Sequence, residues 1–178
     1  MYQGQDVSAG FAQFAGREMN WVQTRPIAMA YELRAGNSTI GTMSVAAGSA
    51  FPATATIGGA SWNYRRDCFI PLKVVIRANQ TGTDVGVLQS TAWSSQASVE
   101  TPEARKFSVV YNFWLTRCTF KTEEGDALFT YEKVRGVFFR LSGKVSIERE
   151  AGAVWELPWL VMLGWYLAVI GHRDRGGS

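Results

Sequence analysis

LPWLVMLGWYLAVIGHR, residues 157–173, opens with fourteen consecutive uncharged residues, Leu157 to Ile170, in a chain of otherwise mixed polarity. Such a segment has two homes, the hydrocarbon of a bilayer or the centre of a folded domain. Pro158 suits the first turn of a helix, Glu156 complements its positive end, and His172 and Arg173 complement its negative end. Apolar residues surround the axis completely, which marks a buried helix and not a surface one. A bilayer span needs about 20 apolar residues, and extension here meets Glu156 on one side and HRDR on the other. The expectation is a core helix at about 156–171, roughly 21–24 Å long. A tail-anchored membrane protein is the alternative.

From about Ala28 to Glu150 the sequence reads as strands joined by tight turns. AMAYELR alternates Met29, Tyr31 and Leu33 against Glu32 and Arg34, the period of a half-buried strand. AGNS then supplies turn residues and TIGTMSV returns as a partner strand. LKVVIRANQTGTDVGVLQ turns at NQTG, and WLTRCTFKTEEGDALFTYE turns at EEGD. In the second of these, Trp114, Thr116, Cys118 and Phe120 share one face. A fourth pair, GVFFRL and KVSIERE, is expected to turn at Ser142-Gly143. GSAFPATATIGGAS and STAWSSQASVETPEA are rich in small residues and read as loops with short strands.

A sheet packs about 10 Å from what lies beneath it, so a barrel around the helix needs a radius near 10 Å. Strands about 4.8 Å apart and tilted by about 40° close that circumference with roughly ten to twelve members. At one strand per 8–12 residues, Ala28–Glu150 supplies roughly twelve. The expected fold is mainly β, a closed antiparallel barrel of about twelve strands around the apolar C-terminal helix. Closure also removes exposed sheet edges.

The 178 residues are 47% hydrophobic and 13% aromatic, enough for one domain with a sizeable core. Residues 1–20, small and polar in type, read as a flexible lead-in; the domain is expected over 21–173, with a tail at 174–178. Net charge is only +3, too weak to argue for nucleic-acid binding. Cys68 and Cys118 lack CxxC spacing and suit buried positions in a reducing compartment. MYQGQDVSAGFAQFAGREM has no basic segment followed by an apolar run, so the expected location is cytoplasmic, with peripheral membrane contact open.

YELRAGNSTIGTM, ASWNYRRD, FKTEEGDALF and LPWLVMLGWYLAVI, taken in order, resemble the tubby C-terminal-like superfamily. That group includes tubby domains, phospholipid scramblases and LURP-one-related proteins. The resemblance spans most of Trp21 to Ile170. It implies a twelve-stranded barrel threaded by a helix and a role in membrane-lipid binding, because tubby domains bind phosphoinositide headgroups and scramblases act at membranes. The chain departs from the group in having no cysteine-rich palmitoylation cluster, no acidic calcium loop and no phosphoinositide signature.

Reactive chemistry is thinly supplied. His172, the single histidine, follows the apolar helix directly and reads as a helix-end charge or surface residue. No HExxH, GxSxG or GxxxxGK[ST] string occurs, and one His with two distant Cys makes no metal cluster. Glu123, Glu124 and Asp126 surround Gly125 in a solvated turn. Trp62, Tyr64, Tyr111, Phe113 and Trp114 read as core and not as a stacking pocket. No catalytic residue, cofactor or metal is expected. The positive hint is basic: Arg65-Arg66 and Arg105-Lys106 can hold phosphate by charge-assisted hydrogen bonds if they meet in the fold. Two partner classes follow, an anionic phospholipid or a membrane-proximal protein. A scaffold domain without lipid affinity is the competing reading.

Overall fold

The computed structural model describes residues 4–25, 28–90, 95–112, 116–135 and 140–174. A helix α1 (Gly4–Ala12) precedes strands β1 (Glu18–Gln23), β2 (Ala30–Ala35), β3 (Ser38–Val45), β4 (Ala53–Ile57), β5 (Ala60–Phe69) and β6 (Leu72–Ala78). Then follow β7 (Asp84–Ser90), β8 (Gln96–Glu100), β9 (Lys106–Tyr111), β10 (Arg117–Thr122), β11 (Ala127–Arg135) and β12 (Leu141–Ile147). A short 3-10 turn, Glu150–Ala153, leads into α2 (Leu157–Asp174). Each strand pairs antiparallel with the next, and β12 returns to β1, with Met19 opposite Val145, so the sheet closes into a barrel.

The alternation of the sequence sets which face points inward. In β12, Leu141, Gly143, Val145 and Ile147 are buried between half-exposed Ser142, Lys144 and Ser146. In β5 the inward phase runs Ala60, Trp62, Tyr64 and then Arg66. Outward positions are polar, as at Thr42, Thr54 and Asn63. α2 fills the axis: every residue from Leu157 to Gly171 is buried. At about 1.5 Å per residue the helix runs the length of the barrel, roughly 27 Å. The opening alternative is thereby answered, since the apolar segment lies inside strands. Among the described residues no helix is long and apolar enough to cross a membrane.

So thick a helix fits because the wall is thinned where it meets the largest side chains. A Cβ on Gly86 would lie 2.8 Å from the Trp159 ring, one on Gly41 2.5 Å from the Met162 methyl, and one on Gly143 2.6 Å from the Trp165 ring. Trp165 stacks on Trp21 at 5.1 Å between centroids, with Tyr31 and Tyr131 edge-on at 5.2 and 5.5 Å. Such contacts add to the area buried. The tyrosine in the middle of the helix finds a polar partner, Tyr166 donating to the carbonyl of Phe51 at 3.0 Å. Among the described residues the buried indole N–H groups of Trp159 and Trp165 meet no hydrogen-bond acceptor.

Four sequence expectations change. Ser142-Gly143 is not a turn: β12 runs through it, and the glycine serves the approach of Trp165. Residues 1–20 are not merely a lead-in, because α1 packs over the 3-10 turn with Phe11 buried, and β1 begins at Glu18. Cys68 is exposed, whereas Cys118 is buried as expected, and both are free thiols. The helix continues to Asp174, beyond the expected end. Phe113, Trp114, the residues of GVFF and the tail at 175–178 lie outside the described residues.

Candidate functional site

The barrel has two chemically different ends. At the start of α2, the mouth is covered by α1, where the Ser8 hydroxyl donates to the Trp155 carbonyl. Glu156 sits at this end, fully buried, with its carbonyl accepting the Leu160 N–H at 3.0 Å. The Arg105 guanidinium, half in water, reaches the Glu156 carboxylate at 2.7 Å. Burial raises the Glu156 carboxyl above the usual range, while its own backbone N–H and then Arg105 pull it back down. The turns around this mouth carry Asp84, Glu100, Glu103, Glu123, Glu124 and Asp126. Glu148 precedes the 3-10 turn and Glu150 opens it. This is the acidic end.

At the C-terminus of α2 the balance reverses. Arg66 projects inward from β5 and donates to Asp174 at 2.6 Å and to the Ser49 carbonyl at 3.1 Å. Its guanidinium lies 3.5 Å from the Phe69 ring centroid and 5.0 Å from that of Phe51. Asp67 is bonded to Arg65 at 2.9 Å. Lys133 Nζ meets His172 Nδ1 at 3.1 Å, which gives the single histidine a place at the helix end. Arg25, Arg140 and Arg173 stand exposed on this rim, and Lys73 is half-exposed near it. Among the described residues these four cations form no ion pair. The two acids at this rim, Asp67 and Asp174, are both already neutralised by arginines.

The four basic residues singled out from sequence therefore do not meet. Arg65 and Arg66 belong to the C-terminal end of α2, Arg105 and Lys106 to its N-terminal end, separated by about the helix length, roughly 27 Å. Arg66 and Arg105 are each committed to a buried or half-buried ion pair. Arg25, Lys73, Arg140 and Arg173 were missed, because sequence does not show which strand ends share a mouth. The inward position of Arg66 was legible, since it keeps step with Trp62 and Tyr64.

Burial pushes the Cys118 thiol up to about 12 and the Tyr31 hydroxyl likewise to about 12, so both stay neutral at ordinary pH. Glu123, Glu124 and Asp126 are exposed in the β10–β11 turn, where the Glu124 carboxyl is lowered chiefly by its own backbone N–H. Among the described residues no group of three His, Cys, Asp or Glu could hold a metal. An open groove of about 390 Å³ crosses β7 and β8, lined by Asp84, Gln89, Ser98 and Glu100 among others. Two carboxylates and no cation give it the wrong sign for phosphate.

No known family model matches the chain, and no curated protein matches it. The structure is similar to the crystal structure of a protein from Arabidopsis thaliana, with a TM-score of 0.52 and 11% sequence identity. The match covers 85% of this chain and 93% of that one. At that identity the likeness shows the fold alone: a closed barrel with a C-terminal helix is an arrangement already seen in a solved protein.

Proposed function

We propose that this chain is a non-enzymatic binding module of the tubby-like kind that meets an anionic membrane surface with the barrel end at the α2 C-terminus. One observation carries the reading. Carboxylates outnumber cations at one end of the molecule, whereas at the other the two acids are bonded to arginines and four cations are left without an acidic partner among the described residues. A surface arranged this way attracts anionic lipid with about 1 kcal/mol per basic residue near the headgroups, and orients the barrel end-on. The twelve-strand order around a terminal apolar helix supports the superfamily assignment. The helix occupying the interior supports binding at the surface, since a filled barrel leaves no cavity for a carried ligand. The implied location is cytoplasmic and peripheral to a membrane.

The test is co-sedimentation of the full chain with vesicles of phosphatidylcholine alone and with phosphatidylserine added. Binding should require the anionic lipid and weaken with salt, because exposed charges are screened beyond about 8 Å at physiological ionic strength. Changing Arg25, Lys73, Arg140 and Arg173 together to Ala should abolish it, and changing Lys106 and Lys121 at the other end should not. Indifference to lipid charge at low salt defeats the reading and leaves the protein-interaction scaffold in its place.

A further inference from the structure

We propose that the tip of the β5–β6 hairpin, Phe69–Ile70, is an apolar wedge that enters the bilayer when the basic rim docks, an inference that rests on the membrane reading above. Phe69 is 54% exposed and Ile70 73% exposed, and they are consecutive residues where the chain reverses direction. Turns favour Gly, Asn, Asp, Ser and Pro. Pro71 supplies that chemistry between β5 and β6, as Gly36-Asn37 does between β2 and β3 and Glu124-Gly125 between β10 and β11, which leaves Ile70 as the residue the turn does not require. Phe69 lies against Arg66, but the Ile70 side chain is held in water at the apex and takes no part in the core.

The wedge is braced from behind. The Arg66 guanidinium lies over the Phe69 ring, and Arg66 is itself anchored to the helix end through Asp174 and to the β3–β4 loop through Ser49. Insertion therefore needs no ordering of a loose loop, which lowers its entropic cost. Lys73 on β6 and Arg65 on β5 flank the tip, and Arg173 stands over the Phe51 ring beside it, 5.8 Å from the centroid. Cations at headgroup level with Phe and Ile just below them is how an interfacial anchor divides its labour. The geometry also chooses between occupants. A specific protein interface buries about 800 Å² per partner, and two side chains at an apex present far less. A bilayer accepts a point of entry.

Cys68 offers a native handle, being exposed beside Phe69, while Cys118 is buried and its thiol stays protonated. An environment-sensitive fluorophore on Cys68 of the full chain should shift to the blue on phosphatidylserine-containing vesicles and be quenched by shallow acyl-chain quenchers. Without any label, Ile70→Ser should weaken co-sedimentation about tenfold and leave thermal unfolding unchanged. Ile70→Trp should strengthen it. If wild type binds anionic vesicles while Ile70→Ser binds equally and the probe stays wet, the wedge is overturned and the charge reading survives. If wild type binds neither vesicle at low salt, both fall. Self-association that Ile70→Ser abolishes, with no effect on vesicles, overturns the wedge in favour of a second copy as the occupant.

Discussion

Arg66 and Asp174 are 108 positions apart in the chain and 2.6 Å apart in space, yet they share their burial unequally. The arginine side chain is 1% exposed and the aspartate 41%. Removing the aspartate strands a charge inside the barrel mouth, whereas removing the arginine leaves an aspartate that water can solvate. Asp174→Asn should therefore cost about 3 kcal/mol, even though it relieves the last turn of α2 of an unfavourable negative charge. Arg66→Met, which fills the inward position without a charge, should cost only about 1 kcal/mol. Urea unfolding of the two variants checks the order; the reverse order would show the pair's burial to be misassigned.

Gly143→Ala places a methyl group against the rings of Trp165 and Tyr131, both fully buried among other aromatics. Neither ring is the loose end of a flexible chain, so the strain has no cheap outlet. A loss of about 1–3 kcal/mol is expected. Gly59→Ala, with open space around its Cβ, is the control and should be near neutral. Equal stability for both variants in denaturant titration refutes the close-approach account of Gly143.

That glycine also shows how far sequence carried the fold. Period-two alternation in AMAYELR and RCTF, the turns at AGNS, NQTG and EEGD, and the unbroken apolar run of α2 were all legible because they are local patterns. Ser142-Gly143 was misread because a glycine permitted by a turn and a glycine required by a neighbouring indole look the same in one dimension. The candidate site suffered more. Which basic residues share a mouth depends on twelve strand registers and on closure of β12 against β1, and no local pattern encodes that. Phe69-Ile70 was visible as an apolar pair at a hairpin apex, but only once β5 and β6 were seen to pair.

Glu156 gives the fold a pH dependence of predictable sign. Its pKa is raised in the folded chain by burial, so the folded state holds that proton more tightly than the unfolded one. The resulting stabilisation is complete below the unfolded value, about 4.3, and is lost as pH rises through the raised one. Glu156→Gln keeps the shape without the charge and leaves Arg105 half in water. The variant should be at least as stable as wild type at pH 7, with the difference shrinking toward pH 4. A loss above about 1 kcal/mol at pH 7 that disappears as pH falls toward 4 would mean the ion pair with Arg105 outweighs the desolvation.

Residues 1–153 contain every strand and none of the helix. Their inward faces, from Trp21 to Ile147, would then enclose an empty axis, with the glycine hollows at Gly41, Gly86 and Gly143 unfilled. This fragment should aggregate when expressed alone. A monomeric peak in gel filtration together with a cooperative melt would refute the helix as the core of the barrel.

Because all twelve strands come before α2 in the chain, and β1 must wait for β12 to complete the ring, a ribosome makes the walls before the interior. At about 5–20 residues per second, some 8–30 s separate the emergence of β1 from that of the helix end. Neighbouring hairpins can form in that interval, since their contacts are local, but none of them has anything apolar to rest on. A stall in translation between Glu148 and Leu157 should leave a protease-sensitive intermediate, and release of the final segment should convert it to a resistant one in a single step.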